Sequence, residues 1–131
     1  MLLASWTGKK YPPFIIFKSL HARSKAKQHE NDDQRQGFGP RVWKEAHLLQ
    51  TESGCHILGN STAWWNAKIS LLFLKFHFAN RESIGDKVLL LWDDFSGHWT
   101  REVVEYAAAM NVVLVKVSPR YTYAYQPADL V

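Results

Sequence analysis

Cysteine is nearly absent from this chain of 131 residues, with Cys55 the sole example. One thiol cannot close an intrachain disulfide, which excludes a disulfide scaffold and fits a reducing compartment. Cys55 and the six histidines do not make a zinc site either. No Cys-x-x-Cys occurs, and no two histidines stand at the spacing of a helical ligand pair. As a nucleophile Cys55 would need a partner to stabilise its thiolate, and on a strand the neighbouring His56 points the other way, so the residue reads as structural. Long apolar runs are missing too. The densest, Ile69 to Phe78, is interrupted by Lys75 and falls well short of the roughly 20 residues that cross a bilayer. No basic start followed by an apolar run precedes Lys9 and Lys10, so no secretory signal is visible and a soluble, intracellular protein is expected.

Apolar and aromatic residues are plentiful, at 47% and 14%, with six tryptophans. That composition is globular, and the length suits one domain and excludes a two-domain enzyme. The first residues, Met1 to Trp6, already read as a strand, and Gln126 to Val131 reads as the opening turn of a helix. Most domains end in a few polar residues outside the fold, so the chain is expected to be the middle of something longer. Charge is uneven: residues 1–44 hold nine Lys/Arg against three Asp/Glu, and the other 87 hold seven against nine. A basic third beside a mildly acidic remainder suits a nucleic-acid binder with a carboxylate site, and equally a solvated loop with incidental lysines.

Met1–Trp6 and Phe14–Phe17 predict a hairpin-like pair of strands around a turn that ends in Pro12-Pro13. Residues 19–40 are polar and mixed in charge and predict a long exposed loop. Its Gly37-Phe38-Gly39 is not a phosphate loop, because no Gly-Lys-Ser/Thr follows. His56-Ile57-Leu58 predicts a short strand, and Asn60-Ser61-Thr62 offers a cap for a helix whose apolar stripe is Trp65, Ile69, Leu72 and Phe76. Trp64-Trp65 reads as core of that helix in preference to a base-stacking platform. Val88–Trp92 is a continuous apolar run that predicts a central strand buried on both faces. A helix with Trp99, Val103, Tyr106, Ala107 and Met110 follows, closed at Asn111, then a second buried strand over Val112–Val115. That order is an α/β unit. Pro127 suits the first position of a terminal helix.

The chemistry sits in the carboxylates. Asp93 and Asp94 lie just beyond the carboxyl end of a buried strand, the edge where open α/β sheets bind ligands. A polar turn with a capping aspartate would read the same way. Asp129 adds weight: it lies 36 residues after Asp93, past one helix and one strand, a path that returns the chain to the same edge. The helix macrodipole accounts for it equally well. Two carboxylates there can hold the hard divalent cations used in phosphoryl transfer. A haloacid-dehalogenase type of phosphatase would need Asp-x-Asp, and a serine hydrolase would need Gly-x-Ser-x-Gly; neither is present.

Three segments resemble one known family. Thr7-Gly8-Lys9-Lys10-x-Pro12-Pro13-Phe14-Ile15-Ile16-Phe17-Lys18 resembles the second and third strands of the DDE superfamily endonuclease domain of pogo- and Tigger-type transposases. Leu89-Leu90-Leu91-Trp92-Asp93-Asp94-Phe95-Ser96-Gly97-His98 resembles its second catalytic block, leucines followed by Asp-Asn-x-x-x-His. Gln126-Pro127-Ala128-Asp129 resembles its third, Gln-Pro-Leu-Asp. The order is right and the segments span nearly the whole chain. The resemblance implies an RNase H-like α/β fold, a mixed sheet flanked by helices, and a nuclear protein acting on DNA. It also implies three acidic residues gathering two Mg²⁺ or Mn²⁺ ions for DNA strand cleavage and transfer. By position Asp93 matches the second acidic residue and Asp129 the third. Asp94 falls where the family has Asn and takes no catalytic role, and His98 matches a His assigned to local structure or backbone positioning.

One departure bears on activity. The family's first catalytic Asp lies on a first, central strand upstream of the segment matched by Leu2–Trp6, and neither Glu52 nor Asp86 occupies its place. The family's helix-turn-helix region and C-terminal remainder are likewise unmatched. The expectation is therefore an N- and C-terminally truncated and inactive endonuclease domain. The alternative is a non-catalytic, domesticated DNA-binding protein that uses the basic segment Lys9–Lys44.

Overall fold

The computed structural model describes residues 1–119. The chain divides into two compact units, Met1–Trp64 and Trp65–Val131. Each holds one two-stranded parallel sheet among the described residues. The architecture is therefore mixed α/β as expected, with short parallel strand pairs among the described residues.

In the first unit, β1 (Phe14–Lys18) pairs in parallel with β2 (His56–Asn60), Phe14 opposite His56 and Lys18 opposite Asn60. The predicted hairpin is displaced. Residues 1–4 run antiparallel to residues 10–14 through the Ala4–Lys10 bridge and the bonds from Tyr11 N to Leu3 O and from Phe14 N to Met1 O. Pro12 and Pro13 have no N–H to extend that ladder, so β1 begins after them and takes a different partner. A parallel partner requires a crossover of a dozen residues or more. Two helices supply it: α1 (Lys25–Arg35) and α2 (Pro40–Ser53).

Residues 19–40, expected as an exposed loop, thus carry all of α1. The helix escapes a search for apolar periodicity because Asn31 is its only buried residue. Ser24 caps it by accepting from Lys27 N, and Gln28–Asp32, His29–Asp33 and Asn31–Arg35 pairs run one turn apart along it. It ends at Gln36 and Gly37, with φ of 51° and 88°. Gly37 packs so closely on the Gly59 carbonyl of β2 that a Cβ there would collide with it. The Gly-Phe-Gly sequence is thus a joint between α1, α2 and β2, and its Phe38 lies in the core with Ala46, Cys55 and Ile57. Cys55 is buried, in keeping with a structural role.

In the second unit α3 spans Ala67–Phe78, with the Asn66 side chain accepting from Ile69 N, so the cap lies six residues after Asn60. The buried face also differs from the predicted stripe. Ile69, Ser70, Phe73, Leu74 and Phe78 are buried, whereas Leu72 and Phe76 are half-buried. Trp65 precedes the helix and packs edge-on to Phe73, while Trp64, expected in the core, is 76% exposed. Next come β3 (Val88–Trp92), a 3₁₀ turn (Ser96–His98), α4 (Arg101–Ala109) and β4 (Val112–Lys116). β3 and β4 pair in parallel, Val88 opposite Val112 and Trp92 opposite Lys116, around the α4 crossover. Thr100 caps α4, and Asn111, at φ 55°, closes it as expected. β3 is not buried on both faces. Leu90 and Trp92 are buried, but Leu89 and Leu91 on the other face are 62% and 51% exposed. An all-apolar strand carries no alternation from which a one-sided sheet could be read.

Candidate active site

Asp93 is the first residue beyond β3, at the carboxyl end of the parallel pair. Its backbone and its side chain are each held. The Trp99 indole Nε1–H donates to the Asp93 carbonyl at 2.8 Å, and Lys116 Nζ lies 4.7 Å above the centre of the Trp99 ring. On the side chain, Oδ1 accepts from Phe95 N at 3.1 Å and stands 3.3 Å from His98 Nε2. No described residue bonds Oδ2, and the side chain is 39% exposed. One carboxylate oxygen is thus engaged and the other is open. Asp94 is exposed beside it.

His98 is 1% exposed, and the packing around it uses much of the unit's aromatic surplus. Trp92 stacks on the imidazole with centroids 3.9 Å apart and planes at 15°, and Trp65 and Phe95 meet it edge-on. Burial drives the imidazole from 6.5 down to about 4, and the neighbouring Asp93 charge offsets part of that fall. The ring is therefore neutral at physiological pH. A carboxylate oxygen only accepts, so the proton belongs on Nε2. Nδ1 then accepts from Ser70 Oγ, which lies 2.9 Å away and itself accepts from Trp65 Nε1 at 2.9 Å. Ser70 Oγ also lies 2.9 Å from the Gly97 carbonyl. A Cβ on Gly97 would press on the Phe95 ring and approach Ala67 N to 3.2 Å, so only glycine lets the 3₁₀ turn sit this close to the start of α3.

Ser70, His98 and Asp93 have the connectivity of a nucleophilic triad, but the direction is wrong for one. Ser70 is 0% exposed and cannot meet a substrate, while Asp93 is the solvent-facing end. The chain of contacts anchors a carboxylate and does not activate a hydroxyl. Sequence reasoning found Asp93 and assigned His98 to local structure; the structure adds the contact to Asp93 and the supporting Ser70 and Trp65. A serine on the buried row of an apolar helix, with Leu74 one turn on, is the signal that could have found Ser70.

Asp129, the other expected carboxylate, lies outside the described residues, as do the helix expected from Pro127 and most of the loop before it. Among the described residues no three His, Cys, Asp or Glu side chains gather as a metal site. Asp93 does suit a hard divalent cation as one oxygen ligand, through the open Oδ2. No described helix is long and apolar enough to cross a membrane.

Comparison with curated proteins and with solved structures gave no match. Among family models, that of the DDE superfamily endonuclease matches residues 2–131, nearly the full length and including both expected carboxylates. The chain belongs to the DDE superfamily endonucleases.

Proposed function

We propose that this chain is a pogo/Tigger-type, transposase-derived nuclease domain on an RNase H-like fold, that it acts on DNA in the nucleus, and that Asp93 and Asp129 hold its divalent metal. Family membership makes a transposase-related nuclease the starting point, and such enzymes are generally divalent-metal dependent. The observation that carries the reading to a residue is Asp93 at the carboxyl end of β3, its Oδ1 engaged by Phe95 and His98 and its Oδ2 open. The β3–α4–β4 parallel unit supports the RNase H-like assignment. When bound, Mg²⁺ or Mn²⁺ supplies charge stabilisation for displacement at a phosphodiester. The chain's own part is to present the ligand oxygen, with Trp99 fixing the backbone and His98 the side chain.

Two carboxylates hold such ions poorly where the family uses three, so the chain alone binds Mn²⁺ weakly and does not cleave DNA. The test is Mn²⁺ binding followed by electron paramagnetic resonance, alongside plasmid nicking in Mg²⁺. Weak binding that Asp93→Ala and Asp129→Ala each abolish, with plasmid left supercoiled, is the expected result. Nicking that disappears in Asp93→Ala would overturn the inactivity. Binding indifferent to Asp93 would remove the metal centre.

A second reading is favoured by the first unit's charge. Eight of the nine Lys/Arg in residues 1–44 are exposed, and only Arg35 turns inward, to Glu30 and Asn31. On this reading the segment Lys9–Lys44 contacts DNA phosphates without catalysis, as a domesticated binding protein would. Duplex binding that is undetectable, or insensitive to salt, would eliminate it.

A further inference from the structure

Resting on the endonuclease reading, we infer that His98 is a positioning residue that makes Asp93 a one-oxygen ligand. His98 is locked on every side. Trp92 stacks on its face, Trp65 and Phe95 meet it edge-on, and Ser70 Oγ lies 2.9 Å from Nδ1. Ser70 is fixed in turn by the Trp65 indole, which donates to its Oγ. With the ring held, Nε2 lies 3.3 Å from Asp93 Oδ1, and Phe95 N–H donates to the same oxygen.

The Phe95 N–H on Oδ1, with the imidazole Nε2 lying 3.3 Å from the same oxygen, draws negative charge to Oδ1 and opposes rotation about the Cβ–Cγ bond. A carboxylate held this way offers a cation only Oδ2, and keeps it aimed along one direction. A carboxylate without these contacts can swing, chelate through both oxygens, or turn away. The buried partner of a ligating group commonly shifts metal affinity about 10- to 100-fold, by orienting the ligand before the metal arrives. The 3₁₀ turn gives the physical reason for the spacing: His98 follows Asp93 by five positions, and Ser96–His98 folds back so that the imidazole comes under the carboxylate.

The experiment has a metal-free arm and a metal arm. In the wild-type chain, ¹⁵N–¹H NMR of the histidine rings is expected to place the His98 proton on Nε2. A proton on Nδ1 alone, leaving a bare Nε2 toward the carboxylate, overturns the inference whatever the metal does. In the metal arm, Mn²⁺ is titrated into wild type, H98N and H98Q, each first checked for folding by thermal unfolding. Asparagine reproduces Nδ1 and its bond to Ser70 but not Nε2; glutamine reproduces Nε2. H98N is expected to weaken Mn²⁺ binding by about ten-fold, with H98Q within about three-fold of wild type. Equal affinities for wild type and H98N overturn the inference and leave the endonuclease reading standing. Wild type that shows no Asp93-dependent Mn²⁺ binding overturns both.

Discussion

The pH behaviour of the chain is set largely at single residues. The His98 imidazole takes a proton near pH 6.5 when the chain is unfolded and only near pH 4 when folded, because burial among Trp92, Trp65 and Phe95 disfavours the charged ring. Between those values the unfolded state binds more protons, so stability is complete above about pH 6.5 and falls as pH falls toward 4. The loss is about 2–3 kcal/mol, the size that this shift sets. His56, stacked on Phe14, is also lowered by burial and adds to the effect with the same sign. Urea unfolding followed by tryptophan fluorescence at pH 7, 5.5 and 4.5 measures it, since Trp92 lies on the imidazole. Stability unchanged across that range would contradict the burial argument. His98 was legible in the sequence as part of a motif. Its partner Ser70 was not, because the two are 28 residues apart and only packing joins them.

At the scale of elements, joints are more sensitive than surfaces. Gly37 ends α1 at φ 88°, a conformation that strains any residue with a Cβ, and the space a Cβ would need is filled by the Gly59 carbonyl. Gly37→Ala is expected to cost about 2–4 kcal/mol, the sum of a left-handed backbone and an overpacked contact. A Cβ on Gly85 would meet nothing within 4 Å, and the residue has no positive φ. Gly85→Ala should therefore change stability by less than about 0.5 kcal/mol. Thermal melts of the two variants test the contrast, and equal shifts would refute it. The helix α1 shows why this part of the fold was illegible. Its stability comes from the Ser24 cap, from pairs one turn apart and from the crossover that β1 and β2 require, none of which leaves an apolar period. β3 misleads in the opposite direction, its five apolar residues concealing that Leu89 and Leu91 face outward.

For the whole molecule, charge and packing are divided between the two compact units. The first carries the eight exposed Lys/Arg of residues 1–44, and the second carries Asp93 and its supports. If the basic segment contacts duplex DNA, the observed association constant falls with salt, each neutralised phosphate contributing about 0.9 to the slope of the log–log plot. Lys25 and Lys27 are exposed on α1 and make no hydrogen bond through their side chains to described residues. Replacing both with Gln should therefore reduce the slope by about 2, as read by fluorescence anisotropy at several salt concentrations. An unchanged slope would place any DNA contact elsewhere.

The sequence by itself determined what local chemistry can specify. This includes the strand that leads into Asp93, the strand–helix–strand order of β3, α4 and β4, the Asn111 helix end, the structural Cys55 and, through three ordered motifs, the family. Tertiary structure alone decided which strands pair, that α1 replaces a loop, which face of β3 is covered, and that Ser70 and Trp65 hold the imidazole behind Asp93. Caps, turns and strand ends depend on neighbours a few residues away, and those are written in order along the chain. Pairing and burial depend on groups tens of residues apart, and become definite only when the chain has closed around them.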